Sequence, residues 1–188
     1  MQFKIKTQPT DEPVTLGEAK AQIRVDHSDE DDLIQRMIGA ARGWVEKHLD
    51  QPLMEQTITG ATDVFPGTLE LTPNLRSVVE VRYVDGGDVE QTVDPSSYLV
   101  DDFSRVGAVY PSPGKSWPDS RGAPFDVQVD FVAGYETPAD VPDEIKSAVL
   151  LLVGHWYANR EQTVTGSVPE EIKMGVESLL WYDKRLSV

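Results

Sequence analysis

The chain has 188 residues, 32 of them acidic and 17 basic, with a formal net charge of −15 and a sequence pI near 4.5. A protein this acidic does not grip nucleic acid by general electrostatics, because phosphates need compensating cations, and it is equally unsuited to an anionic membrane surface. With no cysteine there is no disulfide framework, thiolate metal site or cysteine nucleophile. Four tryptophans, six tyrosines and 39% hydrophobic residues argue for a folded core rather than disorder.

Taken in order, the opening MQFKIKTQPTDEP lacks the apolar run of a signal peptide. Together with the missing cysteines this points to synthesis in a reducing cytoplasm. Thr15 followed by Glu18 is a capping-box pattern and predicts a short helix with Leu16, Ala19 and Ile23 on one face. Ser28 with Asp31 predicts a second start, and Asp29, Glu30, Asp31 and Asp32 supply the negative charge a helix N-terminus favours. Leu33, Ile34, Met37, Ile38, Ala41, Trp44, Val45 and Leu49 then recur at helical spacing, and Asp50-Gln51-Pro52 stops the run.

From residue 55 the period changes to two. Gln56–Thr59, Thr68–Leu71, Val78–Val84, Val89–Val93, Tyr98–Val100 and Val127–Val132 read as strands, with Asp85-Gly86-Gly87-Asp88 as a hairpin turn. Residues 103–125, containing YPSPGKSWPDSRGAP, read as a long loop. Helix returns with Pro142 at the first helical position and Ile145, Ala148, Val149, Leu152 and Trp156 as an apolar stripe. A last helix starts at Pro169 and carries Ile172, Val176, Leu179 and Leu180. The expected fold class is α+β: a mainly α-helical module, made of an N-terminal helical hairpin and two C-terminal helices, with a central antiparallel β insertion. One domain spans 1–188, helical over 14–51 and 142–186, with the insertion at about 55–135.

Catalytic and metal-binding patterns are sparse. The acidic run from Asp26 to Asp32 fails as a calcium loop, because its sixth position is Asp31 rather than glycine and its twelfth is Met37 rather than Glu. His27, His48 and His155 have no zinc-site spacing, and no nucleophile elbow or phosphate loop occurs. No metal or cofactor is expected. Asp126 and Asp130, on one face of a strand, are the only basis for an alternative reading as a carboxylate-dependent hydrolase. The same alternation also describes an ordinary half-solvated sheet.

Two regions qualify as contact surfaces. Arg105, Lys115 and Arg121 face only Asp119 in the 103–125 loop, interleaved with Tyr110 and Trp117. That loop either touches phosphate or an acidic neighbouring subunit, or is a proline-braced surface loop with Trp117 tucked onto the sheet. Trp156, Tyr157 and Arg160 near one helix end, and Trp181 and Tyr182 on the last helix, are the residue types enriched at interface centres.

The series PVTLGEAKAQIRVDHSDEDDLIQRMIGAARGWVEKHLDQPL, then VVEVRYVDGG, SYLVD, VDFVAGY and VPDEIKSAVLLLVGHWYANRE resembles, in order, the head–tail connector (adaptor) proteins of tailed double-stranded DNA bacteriophages, prophages and gene transfer agents. The resemblance implies a non-enzymatic virion component of the neck, assembled in the host bacterial cytoplasm. Identical subunits would form a ring beneath the portal protein, extend the DNA channel, and dock the tail-completion or stopper protein. DNA would pass without specific binding and no membrane would be involved. In such a ring Trp156, Tyr157, Arg160, Trp181 and Tyr182, chosen by residue type, are the candidates for the portal or subunit interface. Arg105, Lys115, Trp117 and Arg121 would then face a neighbour or the DNA.

Overall fold

The computed structural model describes residues 1–159 and 170–185. Among them are four α-helices and eight strands in two antiparallel sheets. Helix takes 35% of the chain and strand 30%, so the expectation of a mainly helical protein is wrong, although the class is α+β. The helical bias came from counting only strands with strong local patterning. Two further strands, at residues 2–7 and 106–111, carry only a short or weak alternation.

The chain sorts into two compact units, one from Met1–Thr10 and Glu55–Gly134, the other from Asp11–Met54 and Tyr135–Val188. The second unit is helical: α1 (Leu16–Ile23), α2 (Asp31–Leu49), α3 (Asp143–Ala158) and α4 (Glu170–Arg185). The capping box at α1 forms as expected, with Thr15 Oγ1 accepting from the Glu18 amide at 3.2 Å and Glu18 accepting from the Thr15 amide at 2.6 Å. That second bond, with the Thr15 hydroxyl, holds the Glu18 carboxyl below its ordinary range.

The expected Ser28 cap does not form. Glu30 is the N-cap of α2 but its side chain makes no capping bond to the helix amides, and Ser28 contributes its carbonyl to the Asp31 amide. Asp31 is drawn instead into an ion pair with Lys20 at 2.7 Å. Pro142 is the N-cap of α3 rather than its first helical residue. The expected start of the last helix at Pro169 lies outside the described residues.

The apolar stripes do what their spacing predicts. Ile34, Ile38, Ala41 and Val45 of α2 meet Ile145, Ala148, Val149 and Leu152 of α3, with Val176 and Leu180 of α4. Each large side chain so buried contributes about 1.5–3 kcal/mol of transfer free energy. Arg42 is pinned between Glu12 at 2.8 Å and Glu46 at 2.9 Å, and Glu46 also accepts from the Leu53 amide at 3.0 Å. This triad ties α2 to the segments on either side of it. Burial nonetheless raises the Glu46 pKa, because those bonds only partly offset the desolvation.

The first unit contains β1 (Gln2–Thr7), β2 (Gln56–Thr62), β3 (Leu69–Pro73), β4 (Leu75–Val84), β5 (Glu90–Thr92), β6 (Tyr98–Asp101), β7 (Val106–Pro111) and β8 (Val127–Ala133). One sheet has the order β1-β2-β8-β4-β5 and the other β3-β7-β6. Their shared core holds Ile58, Val81, Val127, Val129 and Phe131 from the first sheet and Leu69, Leu71 and Val109 from the second. Gly107 of β7 permits a close approach, since a Cβ there would lie 2.3 Å from that of Leu75.

Three sequence expectations fail in this unit. β1 had not been read as a strand, although QFKIKT alternates. The 103–125 segment is not all loop, because Val106–Pro111 is the central strand of the second sheet. In the β4–β5 turn the positive φ falls on Asp88, at 62°, and not on Gly86 or Gly87. Asp85 organises that turn by accepting from the Gly87 amide at 2.8 Å and the Val89 amide at 3.1 Å.

Candidate assembly surfaces

The carboxylates singled out from the sequence sit in different environments. Asp130, in the middle of β8, has a side-chain exposure of 0% and accepts from Lys6 Nζ at 2.5 Å, Thr59 Oγ1 at 2.5 Å and Arg82 Nη2 at 3.2 Å. Burial alone would raise its pKa, but Lys6, Thr59 and Arg82 together pull it below the ordinary carboxylate value. Asp126 precedes β8 and takes a forked contact from Arg121, at 3.1 Å from Nε and 2.6 Å from Nη2, plus the Ala123 amide at 2.6 Å. The Arg121 guanidinium holds the Asp126 carboxyl low as well.

A carboxylate-dependent hydrolase needs one acid kept protonated near neutral pH by a raised pKa. Both carboxyls here are shifted the other way and are saturated by cations. They bind the sheet together. Among the described residues no group of three or more His, Asp and Glu is placed to hold a metal ion.

The basic side chains of the 103–125 segment are largely used inside the unit. Lys115 Nζ donates to the Ser96 carbonyl at 2.9 Å. Arg121 bridges Asp126 and Asp88. Arg105 is half-buried. Trp117 stacks on Phe65 with ring centroids 4.9 Å apart and planes 12° apart, and Phe65 in turn meets Tyr83 edge-on at 5.6 Å. That is the arrangement of a braced loop folded onto its sheet.

On the helical unit the aromatic set divides. Trp156 and Tyr157 are half-buried against the helical core, and the Tyr157 hydroxyl donates to Glu30. Trp181 of α4 is 63% exposed. Arg160 lies outside the described residues, and for Tyr182 only the helical backbone is described.

Sequence reasoning missed the most exposed large apolar side chain in the chain's described part. Phe103 is 98% exposed at the tip of the β6–β7 hairpin. Asp101 Oδ1 accepts from the Phe103 and Ser104 amides at 3.1 and 2.9 Å, so the turn that presents Phe103 is built by a side chain. The available signal was a lone Phe in the polar run Asp101-Asp102-Phe103-Ser104-Arg105.

The head completion protein family matches residues 13–174, and the chain belongs to that family of structural head–tail connector subunits. The fold is similar to a chain in the neck of an empty gene transfer agent particle, solved with C6 symmetry, at 19% identity and TM-score 0.80, covering 98% of this chain and 95% of that one. It is also similar to a chain in the neck of the native particle, solved with C12 symmetry, at 18% identity and TM-score 0.75 with the same coverage. A chain of the native gene transfer agent virion matches at 21% identity and TM-score 0.72, over 84% of each chain. No curated protein matches. Among the described residues no helix is long and apolar enough to cross a membrane.

Proposed function

We infer that this chain is a ring-forming neck subunit of a tailed particle. It sits beneath the portal protein, extends the DNA channel, and offers a docking surface to the tail-completion or stopper protein. The observation that carries this reading is the head completion protein match over residues 13–174, supported by a fold likeness to neck chains across nearly the whole length. The charge fits the role: a net −15 repels a passing duplex rather than gripping it.

A ring needs two different complementary faces per subunit, because its interfaces are heterologous. Trp181, exposed on α4, is the leading portal contact, with Tyr182 of α4, Trp156 and Tyr157 of α3, and Arg160, which lies outside the described residues, completing the aromatic and basic set. Arg105, Lys115, Trp117 and Arg121 shape the second face by bracing the β unit. The test is to add purified chain to portal-bearing heads that lack it and to image them by negative stain. An added ring below the portal is expected. Heads that stay bare would overturn the reading.

A further inference from the structure

Two apolar patches on the β unit remain exposed, and they carry opposite charge. The first is the β6–β7 hairpin. Leu99 and Tyr110 are cross-strand partners and both exposed, Val100 and Val106 add to the surface, and Phe103 stands at the tip beside Asp101 and Asp102. The second is the free edge of the five-stranded sheet. There β1 presents Phe3 and Ile5, 46% and 42% exposed, on one face and the exposed Lys4 on the other, so both meet at the edge.

The two patches differ in shape. The hairpin is a projecting knob, fixed by the Asp101 turn. The β1 edge is a shelf: Phe3 packs edge-on against Phe131 at 6.1 Å, and Gly60 leaves room for it, since a Cβ there would come within 3.1 Å of the Phe3 ring. Edge strands commonly carry lysines that block pairing with like strands. Here Lys4 also sets the sign of the charge an incoming partner must have, since Lys6 is already paired with Asp130. The strand beside them keeps unpaired backbone groups along its outer edge.

We propose that the hairpin tip of one subunit, Leu99, Asp102 and Phe103, seats on the Phe3–Lys4–Ile5 edge of the next copy of this chain, forming the β-unit half of the ring interface. The inference rests on the ring reading above. The occupant is a second copy because the complementary surface, opposite in charge and matched in apolar character, lies on the chain itself. A knob and a shelf on different parts of one chain make the heterologous contact that a closed ring requires.

Lys4 and Asp102 are the residues to exchange, because neither makes a side-chain bond that the fold of its unit uses. On portal-bearing heads supplied with the wild-type chain, rings establish the connector reading. Lys4→Glu and Asp102→Lys alone should each lower the number of ring-bearing heads by about tenfold, since like charges then face each other across the joint. The double exchange, K4E with D102K, should recover most of the loss. Single variants that assemble as wild type, or a double exchange that recovers nothing, overturn the inference while leaving the connector reading intact.

The chain has no cysteine, so an I5C/F103C chain gives a second readout. Rings of this variant, oxidised on the head, should run as a covalent ladder on a non-reducing gel and as monomer after reduction. Rings without a ladder count against the contact. If the wild-type chain itself forms no ring on the head, the connector reading and this inference fall together.

Discussion

Lys6 and Asp130 are 124 residues apart in sequence and 2.5 Å apart in space. Lys6 sits at a register shift in β1, between the pairs Ile5–Ile58 and Thr7–Thr57, and its side chain reaches past β2 to the buried carboxylate on β8. The bulge re-aims one side chain at the cost of one ladder position. Its return is a cation for a carboxylate that would otherwise be buried beside Arg82 and Thr59 alone.

Removing that carboxylate tests the network. Asp130→Ala leaves Lys6 and Arg82 without their shared partner and should destabilise the β unit by about 3 kcal/mol. Asp130→Asn keeps the Thr59 bond and should cost less. Urea unfolding followed by Trp117 fluorescence, with the other three tryptophans replaced by Phe, gives both values; equal stability of Asp130→Ala and wild type would refute the role.

Acid should unfold the β unit first. Asp130 and Asp126 are both held below the ordinary carboxylate value in the folded chain, Asp130 by Lys6, Thr59 and Arg82 and Asp126 by Arg121. A lowered carboxylate contributes stability that is complete above its unfolded value and is lost as pH falls through the folded one. In the helical unit the lowered Glu18, an exposed cap of the short α1, also loses its contribution in acid, but the buried Glu46 is shifted up, so folding favours its protonated form and its cost appears as pH rises instead. Below about pH 4 the Trp117 signal should therefore change before that of Trp44. A helical unit that melts first would contradict this order.

Thr15→Ala removes the side-chain half of the capping box that opens α1, the bonds of Oγ1 with the Glu18 amide and carboxylate, and leaves the residue-15 amide donating to Glu18. The expected loss is about 1 kcal/mol. Because α1 packs on the helical core through Ala19, the loss should appear in the helical unit's denaturation midpoint and leave the β unit's unchanged.

Gly107→Val places a branched side chain where even a Cβ meets the Leu75 side chain. Overpacking of this kind costs about 1–3 kcal/mol. Gly107→Ala should lower the melting temperature too, since its Cβ would lie 2.3 Å from the Leu75 Cβ, an atom no rotamer change can move; a thermal melt of both variants beside the wild type checks this.

Trp181→Ala should leave the melting temperature almost unchanged, since the side chain is largely in solvent, and should reduce ring formation on portal-bearing heads. Val176→Ala, one turn away on the buried side of α4, should do the reverse. A Trp181→Ala chain that assembles normally removes this residue from the interface.

Local physics was legible in the sequence by itself. The Thr15–Glu18 box, the apolar stripes of α2 and α3, the β4–β5 hairpin and the alternation of β8 each depend on residues within a few positions of one another, so their patterns survive in one dimension. The ordered series of segments also carries the resemblance to the connector family, and the net charge excludes a DNA-gripping protein. What only the tertiary structure decided depends on distant pairing. β1 is a strand because β2 accepts it, and β7 because β3 and β6 flank it; their own segments carry too little apolar pattern to declare this. Asp126 and Asp130 looked like a matched pair along the chain, and the fold gave each its own cations. Phe103 looked like any loop residue until a turn built by Asp101 held it out in solvent. Sequence patterning records which face of an element avoids water, whereas partner choice and exposure follow from how the sheets pair, and that is set by residues scores of positions away.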